Sequence, residues 1–360
     1  MNYKVDVCIV GAGPGGALLA YLLAKKNVSV VLLERSHEVG KAFRGEHLNE
    51  EGEAILKEHG LFDAVEQLGL LRMEKLEYWH DGKPFKTILP DPQVGHLGIH
   101  VPQSHLLTVL LQAAQQYPAF NCMMNTKVLE LLKDDSGIFC GVKATKDGEE
   151  VNIESQLVVG ADGRYSTVRK KAGIDATLRK HGYDLLWAKI PAPTSWEPSI
   201  KMALIGDKQL SLFTQAQGYI QIGWNIEEGS FSSLRKQPFT PFIEQLILAF
   251  PQLKETVHQH IQSWQDFVLL DVYSSKSENW GKEGVVLIGD AVHTMTPTGA
   301  FGLNSALKDA DLLASLIDEN YISQLDFTSC ATQRKKEVEK IQAIQIEKEQ
   351  SFASQFVVLA

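Results

Sequence analysis

A glycine-rich turn between two apolar runs restricts how this chain can fold more than any other feature. An apolar run at residues 5–10 ends at Gly11-Ala-Gly-Pro-Gly-Gly16. Apolar residues then recur at helical spacing and lead into a second apolar run: Leu18, Leu19, Leu22, Leu23 and residues 28–33. This order predicts strand, tight turn, helix and strand, joined by the right-handed crossover that parallel strands need. We therefore expect an α/β fold with a parallel sheet.

The same turn predicts a dinucleotide site, formed by Gly11, Gly13, Pro14, Gly15 and Gly16. The first two glycines let bare backbone approach a pyrophosphate, and the last lets the helix pack closely on the strands. The N-terminus of that helix offers free amides and a positive dipole end to the phosphates. Glu34 ends the second strand, where a carboxylate can accept both ribose hydroxyls and disfavours a 2′-phosphate. The motif predicts FAD or NAD and does not choose between them.

The rest of the pattern predicts two lobes that alternate along the chain. Helices are predicted at residues 49–69, 102–116, 242–261, 302–318 and 326–352, and strands at 151–160, 200–206, 208–214, 219–226, 267–273 and 285–288. The middle strands alternate between Gly-containing turns, which is typical of an antiparallel sheet. We expect a cofactor lobe (residues 1–78, 98–176 and 275–325), a substrate lobe (79–97 and 177–274) and a C-terminal helix (326–360).

Composition narrows the partners and the compartment. The 360 residues carry a net charge of −9, which argues against nucleic acid and anionic membranes because neither offers counter-charge. The cysteines, Cys8, Cys122, Cys140 and Cys330, lie far apart and lack metal-ligand spacing. We find no signal peptide and no apolar run of the roughly 18–20 residues that span a bilayer. A cytoplasmic monomer or homodimer with reduced thiols, no metal and no membrane span is expected.

Two further loops carry a resemblance to a known family. Gly289-Asp290-Ala-Val-His293 follows a buried strand, and the Asp162-Gly163 turn follows another. With Gly302 and Asn304, these segments resemble the FAD fingerprints of class A flavoprotein monooxygenases of the para-hydroxybenzoate hydroxylase type. The resemblance covers residues 4–320. It implies that family's fold, in which a Rossmann-like FAD-binding lobe with a parallel sheet is interleaved with an α+β substrate lobe on an antiparallel sheet.

The resemblance implies FAD as the cofactor. The residues implied to bind it are Gly11, Gly13, Pro14, Gly15, Gly16, Glu34, Arg35, Arg44, Gln103, Val128, Asp162, Gly163, Arg169, Gly289, Asp290, Gly302, Leu303 and Asn304. Asp290 would bind the ribityl hydroxyls, while Asp162 and Arg169 would brace each other beside the phosphates. The helix that begins near Gly302 would point its positive N-terminus at the flavin ring.

The implied reaction is a hydroxylation. NAD(P)H, docked transiently in a surface groove, would reduce FAD, and O2 would then form a flavin C4a-hydroperoxide that hydroxylates an aromatic or polycyclic substrate. Pro297, in the loop under the flavin, is the only residue that we place near this chemistry. Two alternatives stay open. One is another flavoenzyme of this fold, namely a reductase, desaturase or halogenase, and the other is an FAD-holding protein that binds a ligand without turnover.

The substrate is expected between the flavin ring and the middle sheet. Candidate lining residues on that sheet are Trp187, Met202, Leu204, Phe213, Gln221 and Trp224. Their apolar and aromatic character favours a planar aromatic or polycyclic molecule. A small carboxylate would need a fixed cation, for which Arg44 and Lys189 are the candidates. We assign no catalytic base, although His47, His181 and Tyr183 could each lie near a phenol.

Overall fold

The computed structural model describes residues 2–40, 45–317, 322 and 328–359, with backbone alone at 328–330 and 357–359. The strands are β1 (Asn2–Val10), β2 (Val30–Leu33), β3 (His47–Leu48), β4 (Leu71–Arg72), β5 (Lys75–His80), β6 (Lys83–Ile88), β7 (Ile99–His100), β8 (Phe120–Met123), β9 (Thr126–Lys133), β10 (Phe139–Lys146), β11 (Glu149–Gly160), β12 (Thr177–Lys180), β13 (Tyr183–Pro191), β14 (Ser199–Ile205), β15 (Lys208–Gln215), β16 (Tyr219–Glu227), β17 (Val268–Leu270), β18 (Tyr273–Lys276), β19 (Gly281–Lys282) and β20 (Val285–Leu287). The α-helices are α1 (Pro14–Lys25), α2 (Glu50–Glu58), α3 (Phe62–Leu68), α4 (Gln103–Ala114), α5 (Thr167–Lys171), α6 (Phe231–Leu234), α7 (Phe239–Ala249), α8 (Lys254–His260), α9 (Phe301–Leu316) and α10 (Thr328–Ser351). Short 3-10 turns cover Pro251–Leu253, Trp264–Asp266, Gly289–Ala291, Thr298–Ala300 and Ala353–Leu359.

A parallel sheet forms the centre of the first lobe. Its strands run in the order β20-β11-β1-β2-β8, with β19 at one edge and the β9–β10 hairpin attached to β11. Ile9 of β1 lies opposite Val159 of β11 and Leu32 of β2, and all three are fully buried. Helices α1, α4 and α9 cover one face, while the hairpin and α5 cover the other. Burial on both faces explains why these strands are apolar throughout.

The second lobe is a seven-stranded sheet with one face covered by helices. Its order is β17-β13-β16-β15-β14-β5-β6, antiparallel except for the pair β14–β5. Residues such as Ile222 pack with Leu246 of α7 and Val257 of α8. The other face is turned to the first lobe, where the Tyr183 hydroxyl lies 3.2 Å from Thr298 Oγ1. This second face, which the helices leave uncovered, is therefore the one that can line a site between the two lobes. The fold class therefore agrees with the prediction from the sequence.

Three predicted elements are divided in the structure. Residues 49–69 form α2 and α3 instead of one helix, because Gly60 between them has φ +70°. Residues 242–261 are interrupted at Phe250, since the residue before Pro251 is driven out of the α-helical region. Residues 267–273 contribute to β17 and β18, which belong to different sheets.

The boundary between the lobes lies near β5. Strand β5 pairs with β14 from Lys75 to Trp79, and it therefore belongs to the antiparallel sheet from its first residue. A boundary between residues 78 and 79 would cut this strand. We therefore propose that the second lobe begins at Lys75, while the remaining predicted boundaries stay predictions.

Helix α10 crosses from one lobe to the other. Val338 packs into the core of the first lobe. Just beyond the end of the helix, the ring of Phe356 lies 5.8 Å from that of Tyr78 in β5. Neither α10 nor any other helix in the described part of the chain is long and apolar enough to cross a membrane.

Three histidines gather around the small sheet β3-β7-β4. His47 lies opposite His100 across strands β3 and β7, and His96 Nε2 lies 3.0 Å from Glu53 Oε2. Burial, together with the neighbouring His100 and His96, lowers the pKa of His47 from 6.5 to about 4, and a hydrogen bond with the Leu97 backbone opposes this shift. His47 is therefore neutral at neutral pH.

Folding stability should fall as the pH is lowered from 6.5 towards 4, in part because of His47. Over this range the unfolded chain binds a proton that folded His47 does not, a difference of at most about 3 kcal/mol. Between pH 7 and pH 5, the free energy of unfolding, measured with urea, should fall by about 2 kcal/mol less in His47→Gln than in wild type. The control is His260→Gln, at an exposed position on α8. Equal pH dependence in all three proteins would contradict the assignment.

Candidate functional site

The first glycine turn is shaped by contacts that exclude side chains. Gly11 has φ +107°, and a Cβ there would collide with the carbonyl oxygen of Ala161. A Cβ on Gly16 would collide with the carbonyl oxygen of Gly11, and one on Gly15 would lie 3.0 Å from that of Ala306. Pro14 occupies the first turn of α1. Backbone packing alone therefore requires Gly11 and Gly16.

Gly13 differs, because its surroundings are open. A Cβ there would have no heavy atom within 4 Å. Gly13 is the N-cap of α1 and supplies no side-chain cap, so the first amides of the helix stay available. Beside the turn, Glu34 accepts hydrogen bonds from the amides of Ala12 (3.0 Å) and Ser36 (2.9 Å). An open backbone cradle next to an oriented carboxylate fits the diphosphate and ribose of a dinucleotide.

Asp162 caps helix α5. Its carboxylate accepts hydrogen bonds from Ser166 Oγ (2.5 Å) and from the amides of Thr167 (2.6 Å) and Val168 (3.1 Å). Burial raises its pKa, although these hydrogen bonds oppose the shift. Gly163 next to it has φ +78° and no heavy atom within 4 Å of a Cβ position. This turn is a second open backbone surface.

Arg169 links two loops. Its Nη1 donates to the carbonyl oxygen of Ala291 at 2.6 Å and its Nη2 to that of Arg164 at 3.4 Å, and the residue is 7% exposed. The prediction that Arg169 and Asp162 brace each other is therefore wrong. Asp162 is satisfied by a helix N-terminus, and the guanidinium instead ties the Asp162 turn to the loop after β20.

The loop after β20 is held by a buried carboxylate. Asp309 Oδ2 accepts hydrogen bonds from the Gly289 amide (2.8 Å) and from His293 Nε2 (2.6 Å). A Cβ on Gly302 would lie 3.8 Å from Asp290 Oδ1, so Asp290 lies beside the start of α9. That helix begins after Ala300 without a side-chain cap. Its free amides and positive dipole end lie beside the same loop.

Asn304 fastens α9 to strand β3. Its Nδ2 donates to the His47 carbonyl oxygen at 3.1 Å, and its Oδ1 accepts from the Asn49 amide at 3.0 Å. Leu303 is buried in the core. Both side chains therefore have structural partners, and contact with a cofactor there would come from the backbone.

The three loops leave the sheet at one edge. Gly11, Ala161 and Gly289 each follow the carboxyl end of a strand, and these strands are neighbours in the order β20-β11-β1. Backbone hydrogen bonds join the ends, since the Ala161 amide donates to Val10 at 2.8 Å and the Ile288 amide to Gly160 at 3.0 Å. A ligand at this edge can touch all three loops, as expected for an open α/β sheet.

The other predicted cofactor residues are more scattered. Arg35 is exposed and lines a cavity of about 560 Å³ together with Lys127. The Val128 side chain is buried in the core. Gln103 begins α4 and donates its amide to Glu46 Oε1 at 3.0 Å. Arg44 lies outside the described residues.

The sheet face opposite α7 and α8 carries most of the predicted substrate residues. Those on this face are Trp187, Met202, Leu204, Phe213 and Gln221. The first four are half-buried, whereas the helix-covered face is fully buried. Trp224 was predicted to line the same site, and this is wrong. It is three residues from Gln221, so it points to the opposite face, where it stacks on Phe242 at 4.0 Å between ring centroids.

Pro297 belongs to the Thr296–Ala300 loop that faces this sheet. The contact between Tyr183 and Thr298 joins the loop to strand β13. Gly299 has φ +75° and Ala300 has φ +54°, so two consecutive residues adopt left-handed backbone. For Ala300 this conformation is strained and needs support from the surroundings.

A polar group that the sequence analysis did not identify lies beside this face. Glu46 Oε2 lies 3.2 Å from His100 Nε2 and 3.3 Å from Gln215 Nε2, and Gln215 also contacts Gln221. Burial alone would raise the pKa of Glu46, but hydrogen bonds from His100 and the Gln103 amide bring it below its ordinary value. Glu46 is therefore an anion at neutral pH. These residues are distant in sequence, and no local motif marks them.

Lys189 and Lys201 lie on opposite faces of this sheet. Lys189 is exposed, with its Nζ 4.6 Å from the ring centroid of Tyr219. Lys201 is buried on the helix-covered side, where it pairs with Glu77. Lys189 lies opposite Gln221 across β13 and β16, so it is on the candidate substrate face at an exposed position, and its charge contributes to the lowered pKa of Glu46.

Proteins of similar sequence agree with this geometry. A family described as FAD binding domain matches residues 4–324. The 6-methylpretetramide 4-monooxygenase of Streptomyces rimosus is 32% identical over 350 residues, which cover 95% of this chain and 82% of that protein. Kynurenine 3-monooxygenase of Anopheles gambiae is 27% identical over 345 residues, covering 88% of this chain and 68% of that protein.

Solved structures confirm the fold. PqsL of P. aeruginosa, in complex with 2-aminobenzoylacetate, has a TM-score of 0.80 at 20% identity and covers 98% of this chain and 96% of its own. The p-nitrophenol 4-monooxygenase PnpA of Pseudomonas putida DLL-E4 has a TM-score of 0.79 at 18% identity, covering 97% and 89%. With the sequence matches to named monooxygenases, an FAD-holding protein without turnover is set aside. The chain belongs to the FAD-binding family and is a class A FAD-dependent monooxygenase.

Proposed function

We propose that this protein hydroxylates an aromatic or polycyclic small molecule with NAD(P)H as the reductant and O2 as the oxidant. The observation that carries the proposal is the half-buried apolar face of β13–β16 turned towards the Thr296–Ala300 loop. Bound FAD, once reduced, supplies two electrons to O2, so that one oxygen atom enters the substrate and the other leaves as water. The chain itself supplies binding, orientation and exclusion of water.

The three loops at the sheet edge would hold FAD along its length. The open backbone at Gly13 and the N-terminus of α1 would receive the diphosphate, and Glu34 would receive a ribose. Asp290 would accept hydrogen bonds from the ribityl chain. The uncapped N-terminus of α9 would favour negative charge on the nearby end of the flavin ring.

The electrostatics of the substrate face favour a neutral aromatic molecule. Glu46 is an anion on this side of the sheet and would repel a carboxylate substrate, whereas the cation of the same face, Lys189, is exposed and already interacts with Glu46 and the Tyr219 ring. Trp187, Met202 and Phe213 offer flat, polarisable surface for stacking. The S. rimosus relative acts, by its name, on 6-methylpretetramide, a polycyclic compound, which agrees with this preference.

Gln215 Nε2 donates to both Gln221 Oε1 and Glu46 Oε2, so Glu46 and His100 hold the two glutamine amides in place. The Gln221 NH2 group can then donate a hydrogen bond to a substrate oxygen on this face. His47 lies in the small sheet β3-β7-β4, and Tyr183 and His181 each contact Glu349 of helix α10. None of the three is therefore proposed as a base. Location in the cytoplasm and the monomeric or homodimeric state stay predictions.

Replacing Gly13 with Ala tests the diphosphate cradle. Gly13 has φ −72° and ψ 176°, which Ala adopts without strain. The apoprotein should unfold at about the same temperature, because the restriction of the unfolded chain by Ala, about 0.4–1 kcal/mol, is offset by the poorer fit of Ala to an N-cap. FAD affinity, measured by flavin fluorescence titration, should fall by about tenfold or more because the methyl group fills the approach to the phosphates. Gly16→Ala should instead destabilise the apoprotein, and unchanged FAD affinity in Gly13→Ala would refute the placement.

A substrate panel tests the reaction. Holoenzyme is supplied with NADH or NADPH and a polycyclic phenol, a single-ring phenol or a hydroxybenzoate. We expect the polycyclic phenol to stimulate NAD(P)H oxidation about tenfold, with a product that takes its new oxygen from isotopically labelled O2. Turnover of the hydroxybenzoate alone would overturn the substrate class. A halide-dependent product without oxygen incorporation would indicate a halogenase, and failure of both nicotinamides to reduce the flavin would exclude the proposed reductant.

A further inference from the structure

Helix α10 brings a carboxylate to the Thr296–Ala300 loop. Glu349 Oε1 accepts hydrogen bonds from Thr296 Oγ1 at 2.7 Å and from the Tyr183 hydroxyl at 3.0 Å. Its Oε2 lies 2.7 Å from His181 Nδ1. Thr296 belongs to the loop, whereas His181 and Tyr183 belong to the second lobe at the start of β13. One carboxylate therefore joins the loop to the sheet that faces it.

The protonation states of this cluster follow from its geometry. Burial alone would raise the pKa of Glu349, but hydrogen bonds from His181, Thr296 and Thr298 bring it below its ordinary value. Burial, with the charge of Glu349, raises the pKa of Tyr183. Tyr183 thus keeps its proton and donates a hydrogen bond to the Glu349 carboxylate.

Gln345 holds the same loop from one helical turn earlier. Its Nε2 donates to the carbonyl oxygens of Thr296 at 2.8 Å and Thr298 at 2.6 Å, and the residue is 1% exposed. These two carbonyls lie on either side of Pro297. Residues four apart lie on the same side of a helix, so Gln345 and Glu349 act on the loop together.

The loop needs such support from outside. Gly299 and Ala300 both have left-handed backbone, and the Ala300 conformation is strained. A segment with this backbone cannot form a regular helix or strand, and its shape depends on the groups that bind its carbonyls and hydroxyls. Gln345 and Glu349 supply those groups from a helix that is itself anchored at both ends, by Arg334 on Asp309 and by Phe356 on Tyr78.

We propose that Glu349 is a positioning residue that fixes the loop around Pro297 relative to strand β13 and so sets the width of the substrate site. The proposal rests on the proposed function, because it takes the site between this loop and β13 as the place of hydroxylation. Gln345 supports the same loop through its backbone. If helix α10 served only to attach the two lobes to each other, hydrogen bonds to the carbonyl oxygens on both sides of Pro297 would not be needed.

The first test measures the loop in the apoprotein, without any reaction. Glu349→Gln keeps the size of the side chain but removes the charge and turns an NH2 group towards a donor. Amide hydrogen exchange in peptides covering residues 292–301 should become about tenfold faster, as expected when a charge-assisted hydrogen bond is lost. Glu347→Gln, at an exposed position on the same helix, should exchange like wild type. Equal exchange in both variants would overturn the proposal.

The second test measures what the loop does in the holoenzyme. In Glu349→Gln, FAD affinity and the KM for NAD(P)H should change much less than product formation, because the hydrogen bonds of Glu349 go to Thr296, Tyr183 and His181, none of which is proposed to bind FAD. The amount of hydroxylated product per NAD(P)H oxidised should fall about tenfold, since a small displacement of the site misaligns the substrate. If amide exchange is faster but the amount of hydroxylated product per NAD(P)H is unchanged, the proposed effect on the substrate site is refuted. Should the wild-type holoenzyme hydroxylate nothing, the proposed function fails, while the exchange experiment still decides whether Glu349 holds the loop.

Thr296→Val provides a variant that leaves α10 intact. It removes only the hydroxyl that donates to Glu349, so His181 and Tyr183 keep their contacts with the carboxylate. We expect faster exchange in the same peptides, with a cooperative unfolding transition that shows the variant to be folded. If Glu349→Gln does not fold, Thr296→Val alone decides, and wild-type exchange in this variant would count against the proposal.

Discussion

The carboxylate of Asp309, buried inside α9, is the group on which the cofactor side of the molecule depends. It accepts hydrogen bonds from the Gly289 amide, His293 Nε2 and Arg334 Nε at 2.6–2.8 Å. Burial alone would raise its pKa, but the charges of His293 and Arg334 bring it below its ordinary value. Loss of one partner from a buried charged group typically costs about 3–5 kcal/mol. The loop after β20, helix α9 and helix α10 therefore hold their relative positions through one group.

The position of the side proposed to bind substrate depends on this arrangement. Helix α9, fixed by Asp309, carries Asn304, which binds the His47 carbonyl of β3. Strand β3 pairs with β7, where His100 binds both Glu46 and the Ala216 amide at the end of β15. A continuous set of hydrogen bonds thus runs from the loop after β20 to the end of strand β15 in the antiparallel sheet. The width of the proposed site between the lobes depends on this connection as well as on the Thr296–Ala300 loop.

The sequence alone predicted those features whose physical signal is local. A glycine turn between apolar runs specifies strand, turn and helix within a few residues, and Gly11 and Gly16 have the close backbone contacts that the motif requires. Asp309 also lies within the predicted helix. The partners of Arg169 could not be read from the sequence, because they depend on which loop lies across from α5. The same holds for Glu46 and Gln215, which are separated by 169 residues in the chain.

Strand residues raise a different difficulty. Trp224 and Gln221 both lie on β16, and both are side-chain types that occur in binding sites. Alternation along a strand places residues three apart on opposite faces. Only one of these two residues can therefore face the proposed substrate site. The apolar neighbours Ile222 and Ile226 share the face of Trp224, and a pattern of this kind indicates the face that is covered by helices. Alternation, applied before residue type, separates core from site on such a strand.

The cofactor site and the substrate site differ in what specifies them. The FAD loops are shaped mainly by backbone, since Gly13 and Gly163 leave open space and Asp162 and Asp309 bind main-chain amides. The proposed substrate face consists of alternate side chains on strands whose other face forms a buried core. A substitution at Met202 or Phe213 can change the shape of the site without disturbing that core. It leaves the FAD loops untouched as well. A fold built in this way can keep its oxygen chemistry while its substrate changes, provided that the loop around Pro297 stays where α10 holds it.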